Sequence, residues 1–128
     1  LAIDHETLNV ISDQVGAPTG AELIADVTAQ VIPKSLVTSD CSGTYHLAAS
    51  GETSWHGYAS YVIDKARDMG QELRATQISA IPTTEYPTPA ERPSNSRLNC
   101  TKLNKTFGLH LPHWKIGIDR MLQETQGS

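Results

Sequence analysis

Tyr61 and Lys65 stand four residues apart in a run that reads as helix, so phenol and ammonium share one face. A lysine beside a tyrosine lowers the phenol's pKa, and such a pair can protonate a carbonyl while a nicotinamide delivers hydride. That chemistry needs a dinucleotide loop, and no GxGxxG follows any predicted strand. The pair therefore reads as a surface neighbourhood beside a core stripe. His5, His46, His56, His110 and His113 show no metal-ligand spacing, and exposed or capping roles explain them. Ser54-Trp55-His56 lacks the GxSxG of a nucleophile elbow, which removes the hydrolase readings. Arg92-Pro93-Ser94-Asn95-Ser96-Arg97-Leu98-Asn99 has more chemical content. An arginine held by a following proline, among Ser and Asn donors, suits a phosphate or diphosphate. The competing reading is an Arg–carboxylate pair that anchors the loop. Glu22 and Glu124, taken singly, read as solvated surface carboxylates.

The elements that must hold these groups fit one domain of 128 residues. The composition is 38% hydrophobic and 19% charged, which argues against disorder. A net charge of −4 without a basic stripe speaks against nucleic acid as a partner. No run approaches the length of a membrane span. The opening LAIDHETLNV carries no basic n-region and no initiator Met, so the chain reads as a piece of a longer, cytoplasmic protein without a secretory signal. Cys41 and Cys100 lie far apart and read as reduced thiols.

Residues 7–12 predict a strand, followed by a polar turn from Asp13 to Gly20. A helix is expected from about residue 19, with Thr19 as N-cap, Glu22 at the capping-box position and Ile24, Val27 and Val31 inward. Pro33 should kink or end it. Residues 43–48 read as a second strand. The clearest helix follows, capped by Thr53 or Ser54 and closed by Gly70, with Trp55, Tyr58, Ala59, Val62, Ala66 and Met69 on its core face. A third strand is expected over 73–78. The proline-rich stretch 80–96 reads as a binding loop. A short helix over about 100–107, closed by Gly108, precedes a last helix starting at Pro112 with Trp114, Ile118, Met121 and Leu122 inward. The alternation predicts α/β with few strands and about four helices.

As a set, these segments resemble the dTDP-4-dehydrorhamnose reductase family of the extended short-chain dehydrogenase/reductase superfamily. The resemblance rests on Asp13-Gln14-Val15-Gly16-Ala17-Pro18-Thr19-Gly20-Ala21-Glu22-Leu23, Gly43-Thr44-Tyr45-His46-Leu47, and Thr53-Ser54-Trp55-His56 with Tyr58-Ala59. It continues through Tyr86-Pro87-Thr88-Pro89-Ala90, Arg92-Pro93, Asn95-Ser96-Arg97-Leu98-Asn99 and Phe107-Gly108-Leu109, in the family's order over nearly the whole chain. It covers only the family's C-terminal part. Residues 1–128 are then the end of a Rossmann-type sheet plus a small α/β subdomain. The NAD(P)-binding portion, with the catalytic Thr, Tyr and Lys, would lie before Leu1, so this chain alone is expected to be inactive.

The resemblance implies a full enzyme that reduces the 4-keto group of dTDP-4-dehydro-L-rhamnose with NADPH or NADH, for bacterial cell-surface polysaccharide such as lipopolysaccharide. This chain would bind the dTDP-sugar, with Gln14, Pro18, Thr19, Arg92 and Asn95 as its contacts. Some family members form homodimers around a divalent cation, and Glu22 and Glu124 match two of its glutamates, which implies Mg²⁺. A second function class also remains. A non-catalytic relative, such as the regulatory subunit of methionine adenosyltransferase, keeps the fold as a binding partner. The TGAEL and TSWH segments favour the reductase.

Overall fold

A computed structural model describes residues 5–126 of the chain. Its elements run β1 (Thr7–Ile11), β2 (Val15–Gly16), α1 (Ala21–Val37), β3 (Thr53–Ser54), α2 (Trp55–Asp68), β4 (Gln77–Ile81), a 3₁₀ turn (Thr83–Glu85), α3 (Thr101–Phe107) and α4 (Trp114–Gln126). β1 alternates exposed Thr7 and Asn9 with inward Leu8 and Val10, ending on buried Ile11. It pairs in parallel with β4, Thr7 opposite Gln77 through Ile11 opposite Ile81. Parallel partners need a long crossover, and here it carries α1 and α2. The short β2 lies antiparallel to β3, Val15 opposite Ser54 and Gly16 opposite Thr53.

Val15 is gripped on both sides. Its N–H donates to the Ser94 carbonyl at 2.8 Å, and its own carbonyl accepts from the Ser96 N–H at 2.7 Å. The late proline-rich loop is thereby fixed to the turn that follows β1, although some 80 residues of chain separate them.

Two apolar clusters hold the helices. Val27 of α1 meets Cys41, Leu103, Phe107 and Leu109 in one, with Tyr45 packed 5.3 Å from the Phe107 ring. Trp114, Ile118 and Leu122 of α4 meet Ala49 in the other, with Tyr58, Tyr61 and Val62 of α2 against them. Leu23 touches both. Ser54 caps α2 by accepting the Gly57 N–H at 3.0 Å. Gly70, at φ +92°, turns the chain out of that helix, and Gly108, at φ +63°, closes α3.

Several expectations shift. Thr19 does not cap α1. Its hydroxyl donates to the Ala17 carbonyl and accepts the Ala49 N–H, both at 3.0 Å, and Gly20 takes the cap position without a side-chain bond. The inward stripe of α1 is Leu23, Val27 and Val31, while Ile24 is exposed. Pro33 lies inside the helix, which continues to Val37. Residues 43–48 form no strand. They run beside the first cluster through Tyr45 and Leu47, and only Ser50 forms a bridge, with His113. The strand expected over 73–78 lies at 77–81, because pairing with β1 sets its register. α4 begins at Trp114, since the Pro112 carbonyl is taken by the Ser50 N–H. Trp55 and Met121, expected in the core, are half exposed. Among the described residues no helix is long and apolar enough to cross a membrane.

Candidate functional site

A pocket of about 440 Å³ opens at the carboxyl end of β1, where open α/β sheets collect ligands. The turn from Gln14 to Thr19 forms one wall, Thr53, Ser54, Trp55 and Tyr58 another, and Arg92, Pro93 and Ser96 the third. Of the residues expected from the sequence, Gln14, Pro18, Thr19 and Arg92 meet there. Asn95 does not line it. Its Oδ1 accepts the Arg97 backbone N–H at 3.0 Å and the Arg97 Nε at 2.9 Å, which shapes the loop.

Gln14 is the buried polar residue at the base of this wall, 7% exposed. A buried amide must find partners, and both ends of this one do. Trp55 Nε1 donates to Gln14 Oε1 at 3.2 Å, and Gln14 Nε2 donates to Thr83 Oγ1 at 3.2 Å. The Thr83 hydroxyl then donates to the Asp13 carboxylate, which also accepts the Thr83 N–H at 3.0 Å. The four groups form a chain with one sense of donation, from indole to carboxylate. Thr83's hydroxyl, and then its backbone N–H, hold the Asp13 carboxyl below its usual range. Because that pKa is lowered on folding, the chain's contribution to stability is present at neutral pH and is lost as pH falls through the lowered value.

The loop has an arginine–carboxylate anchor, but at Arg97, which bonds Glu52 across to the segment before β3. Arg92 makes no hydrogen bond or ion pair among the described residues, and its guanidinium is exposed at the pocket. Trp55 is 50% exposed and meets Tyr58 edge to face, 6.3 Å between centroids. Asp13, Trp55 and Thr83 went unnoticed in the sequence as site residues. The one available signal was a tryptophan at the first position of a capped helix, on a stripe read as core.

A second pocket of about 410 Å³ lies on the other side of Pro18, Thr19 and Tyr58, between α1 and α4. Here Glu22 and Glu124 both face Arg120, whose Nε stands 2.7 Å from Glu22 and 3.2 Å from Glu124. The Glu124 hydrogen bond, then the Glu22 charge, raise the guanidinium's pKa. A divalent cation takes six or more oxygens. Two carboxylates already joined to a guanidinium do not fit one by themselves, and among the described residues no group of three His, Cys, Asp or Glu side chains converges.

Tyr61 and Lys65 both address Asp119 on α4. The phenol donates to Oδ1 at 2.5 Å, and the ammonium lies 3.9 Å away. The Asp119 hydrogen bond, with burial adding to it, pushes the Tyr61 pKa up to about 12. That is opposite to what a proton donor near neutral pH requires; the pair clamps α2 to α4. The clamp is intact below the tyrosine's ordinary pKa of 10.0 and is lost as pH rises through about 12.

Past the carboxyl end of β1, the Gln14 amide, the Trp55 indole of α2 and the Arg92 guanidinium of the late loop meet on one pocket, at the edge where open α/β sheets ordinarily take their ligands. Residues 1–126 match the RmlD substrate binding domain family, and the chain belongs to it. It is 53% identical over 124 residues to dTDP-4-dehydrorhamnose reductase of Salmonella typhimurium strain LT2, covering 97% of this chain and 42% of that protein. The chain thus spans about two fifths of the length of the curated relatives it matches. The crystal structure of a dTDP-4-dehydrorhamnose reductase from Clostridium acetobutylicum superposes with a TM-score of 0.82 at 29% identity, over 95% of this chain and 40% of that one. The Bacillus anthracis enzyme, crystallised with NADP, gives 0.80 at 26% identity over 94% of this chain and 39% of that one.

Proposed function

We propose that the full-length protein carrying this chain reduces dTDP-4-dehydro-L-rhamnose to dTDP-L-rhamnose with NADPH or NADH in the cytoplasm, and that this chain is its sugar-nucleotide-binding part. The observation that supports the reading is the meeting of Gln14, Pro18, Thr19 and Arg92, from distant parts of the sequence, on one pocket. A bound nicotinamide would supply the hydride, and since this chain carries no GxGxxG loop for it, residues outside this chain would hold it. Arg92 offers five donors in a fixed plane and, with no carboxylate on it among the described residues, pairs with the diphosphate. Gln14, which lines the pocket, retains one amide N–H after Thr83 is served, a donor available to a ligand oxygen. Thr19 acts through shape, because its hydroxyl proton is held by the Ala17 carbonyl. A homodimer built around Mg²⁺ would need oxygen ligands beyond Glu22 and Glu124, in competition with Arg120.

The test is an assay of the full-length protein with NADPH and dTDP-4-dehydro-L-rhamnose. Loss of NADPH absorbance with formation of dTDP-L-rhamnose is expected. A folded full-length protein that binds NADPH but leaves the keto-sugar untouched would overturn the reading and favour the non-catalytic class.

A further inference from the structure

The indole of Trp55 is half exposed at the mouth of the first pocket, yet its orientation is fixed. An exposed aromatic on a helix surface ordinarily samples several rotamers, and a ligand that stacks on it must suppress them. Here the Nε1–H is tied to Gln14, Gln14 to Thr83, and Thr83 to the Asp13 carboxylate. Thr83 lies just past β4 and Asp13 just past β1, so the chain of bonds rests on the ends of both parallel strands. Tyr58 backs the indole edge to face, on the helix that Ser54 caps. The face left open stands in the same pocket as Arg92.

Resting on the sugar-nucleotide reading above, we propose that Trp55 is a ring-stacking residue for the bound ligand and that Thr83, through Gln14, is the positioning residue that holds its indole ready. The chemistry it recognises is a flat or apolar ring face, which both the thymine base and the 6-deoxy-hexose present. A diphosphate on Arg92 sits between those two rings, so either can reach the indole. Stacking of a base on an aromatic is worth enough that alanine substitution weakens binding by about 10- to 100-fold.

The experiment is calorimetric titration of the full-length protein with dTDP-L-rhamnose and with dTDP, using NADP⁺ as a separate probe of an intact fold. Trp55→Ala should weaken dTDP-L-rhamnose by about 10-fold or more and leave NADP⁺ affinity within about two-fold. If dTDP weakens equally, the ring is the base; if only the sugar nucleotide weakens, it is the hexose. Thr83→Val, which keeps the indole but breaks the hydrogen-bond chain, should weaken dTDP-L-rhamnose by about 3- to 10-fold, and Thr83→Ser should restore it. Unchanged affinity in Trp55→Ala, with NADP⁺ still bound, overturns the stacking role. A Thr83→Val loss that serine does not restore overturns the positioning role. A wild-type protein that binds NADP⁺ but neither dTDP ligand is a different result: it removes the sugar-nucleotide reading itself.

Discussion

The two pockets on either side of Pro18, Thr19 and Tyr58 have nearly equal volumes but treat charge in opposite ways. In the one between α1 and α4, Arg120 is bracketed by Glu22 and Glu124, and the walls are the start of α1 and a side of α4 that includes the core residues Trp114 and Ile118. The other has no carboxylate in its lining, Asp13 standing behind it at the far end of a hydrogen-bond chain, and its guanidinium, Arg92, has no partner among the described residues. A charge with its partner in place has little left to offer a ligand. One without a partner, beside a fixed indole, offers a charge-assisted bond that folding has not consumed. The comparison separates a pocket that arises where helices meet from one that the fold holds open.

Trp114→Ala tests the helical side of that contrast and should have the largest effect. Trp114 is 4% exposed, stacks edge to face on Tyr61 and joins Ile118 and Leu122 in the second cluster. Removing it should destabilise the full-length protein by about 3–5 kcal/mol in urea unfolding. A loss under about 1 kcal/mol would show that this wall is not core.

Arg92→Ala tests the other side. It should weaken dTDP-L-rhamnose by about 10- to 100-fold, the usual value of a charge-assisted bond. Stability should stay within about 0.5 kcal/mol, because the guanidinium is exposed and holds nothing. A matched fall in stability and affinity would make Arg92 another loop anchor, like Arg97, and the contrast between the pockets would collapse.

The sequence was legible where local chemistry decides. Ser54 as a cap, Gly70 and Gly108 as helix closers, and the alternation of β1 each depend on neighbours within a turn. It was less legible wherever a distant backbone decides. Thr19 has the spacing of a capping box, but the Ala49 N–H competes for its oxygen from 30 residues away. The 43–48 run has strand-like alternation and no strand to pair with among the described residues. In the site, Gln14, Pro18 and Thr19 follow from resemblance and Arg92 from its loop's residue types as well, whereas the bond chain behind Trp55 joins residues 41 and 69 apart and leaves no local signature. Arg92 and Arg97 sit in one loop with similar neighbours. Only Glu52, brought across by the β2–β3 pairing, makes one of them an anchor.

The smallest effect expected is at Arg120, and it sharpens the contrast most finely. Its side chain is 57% exposed, as is that of Glu124, and Glu22's is 49% exposed, so water screens both ion pairs. Exposed pairs of this kind contribute about 0–1 kcal/mol each. Arg120→Met keeps the aliphatic stem against the pocket wall and removes the charge, leaving two carboxylates on adjoining helices with no cation between them. The expected cost is under about 1 kcal/mol at low salt, shrinking further in about 1 M NaCl, where the Debye length is about 3 Å. The dTDP-L-rhamnose affinity should not change, since Arg120 lines only the second pocket. A drop of several kcal/mol would mean that the network fastens α1 to α4, a task that Leu23, wedged between the two clusters, already performs through apolar contact.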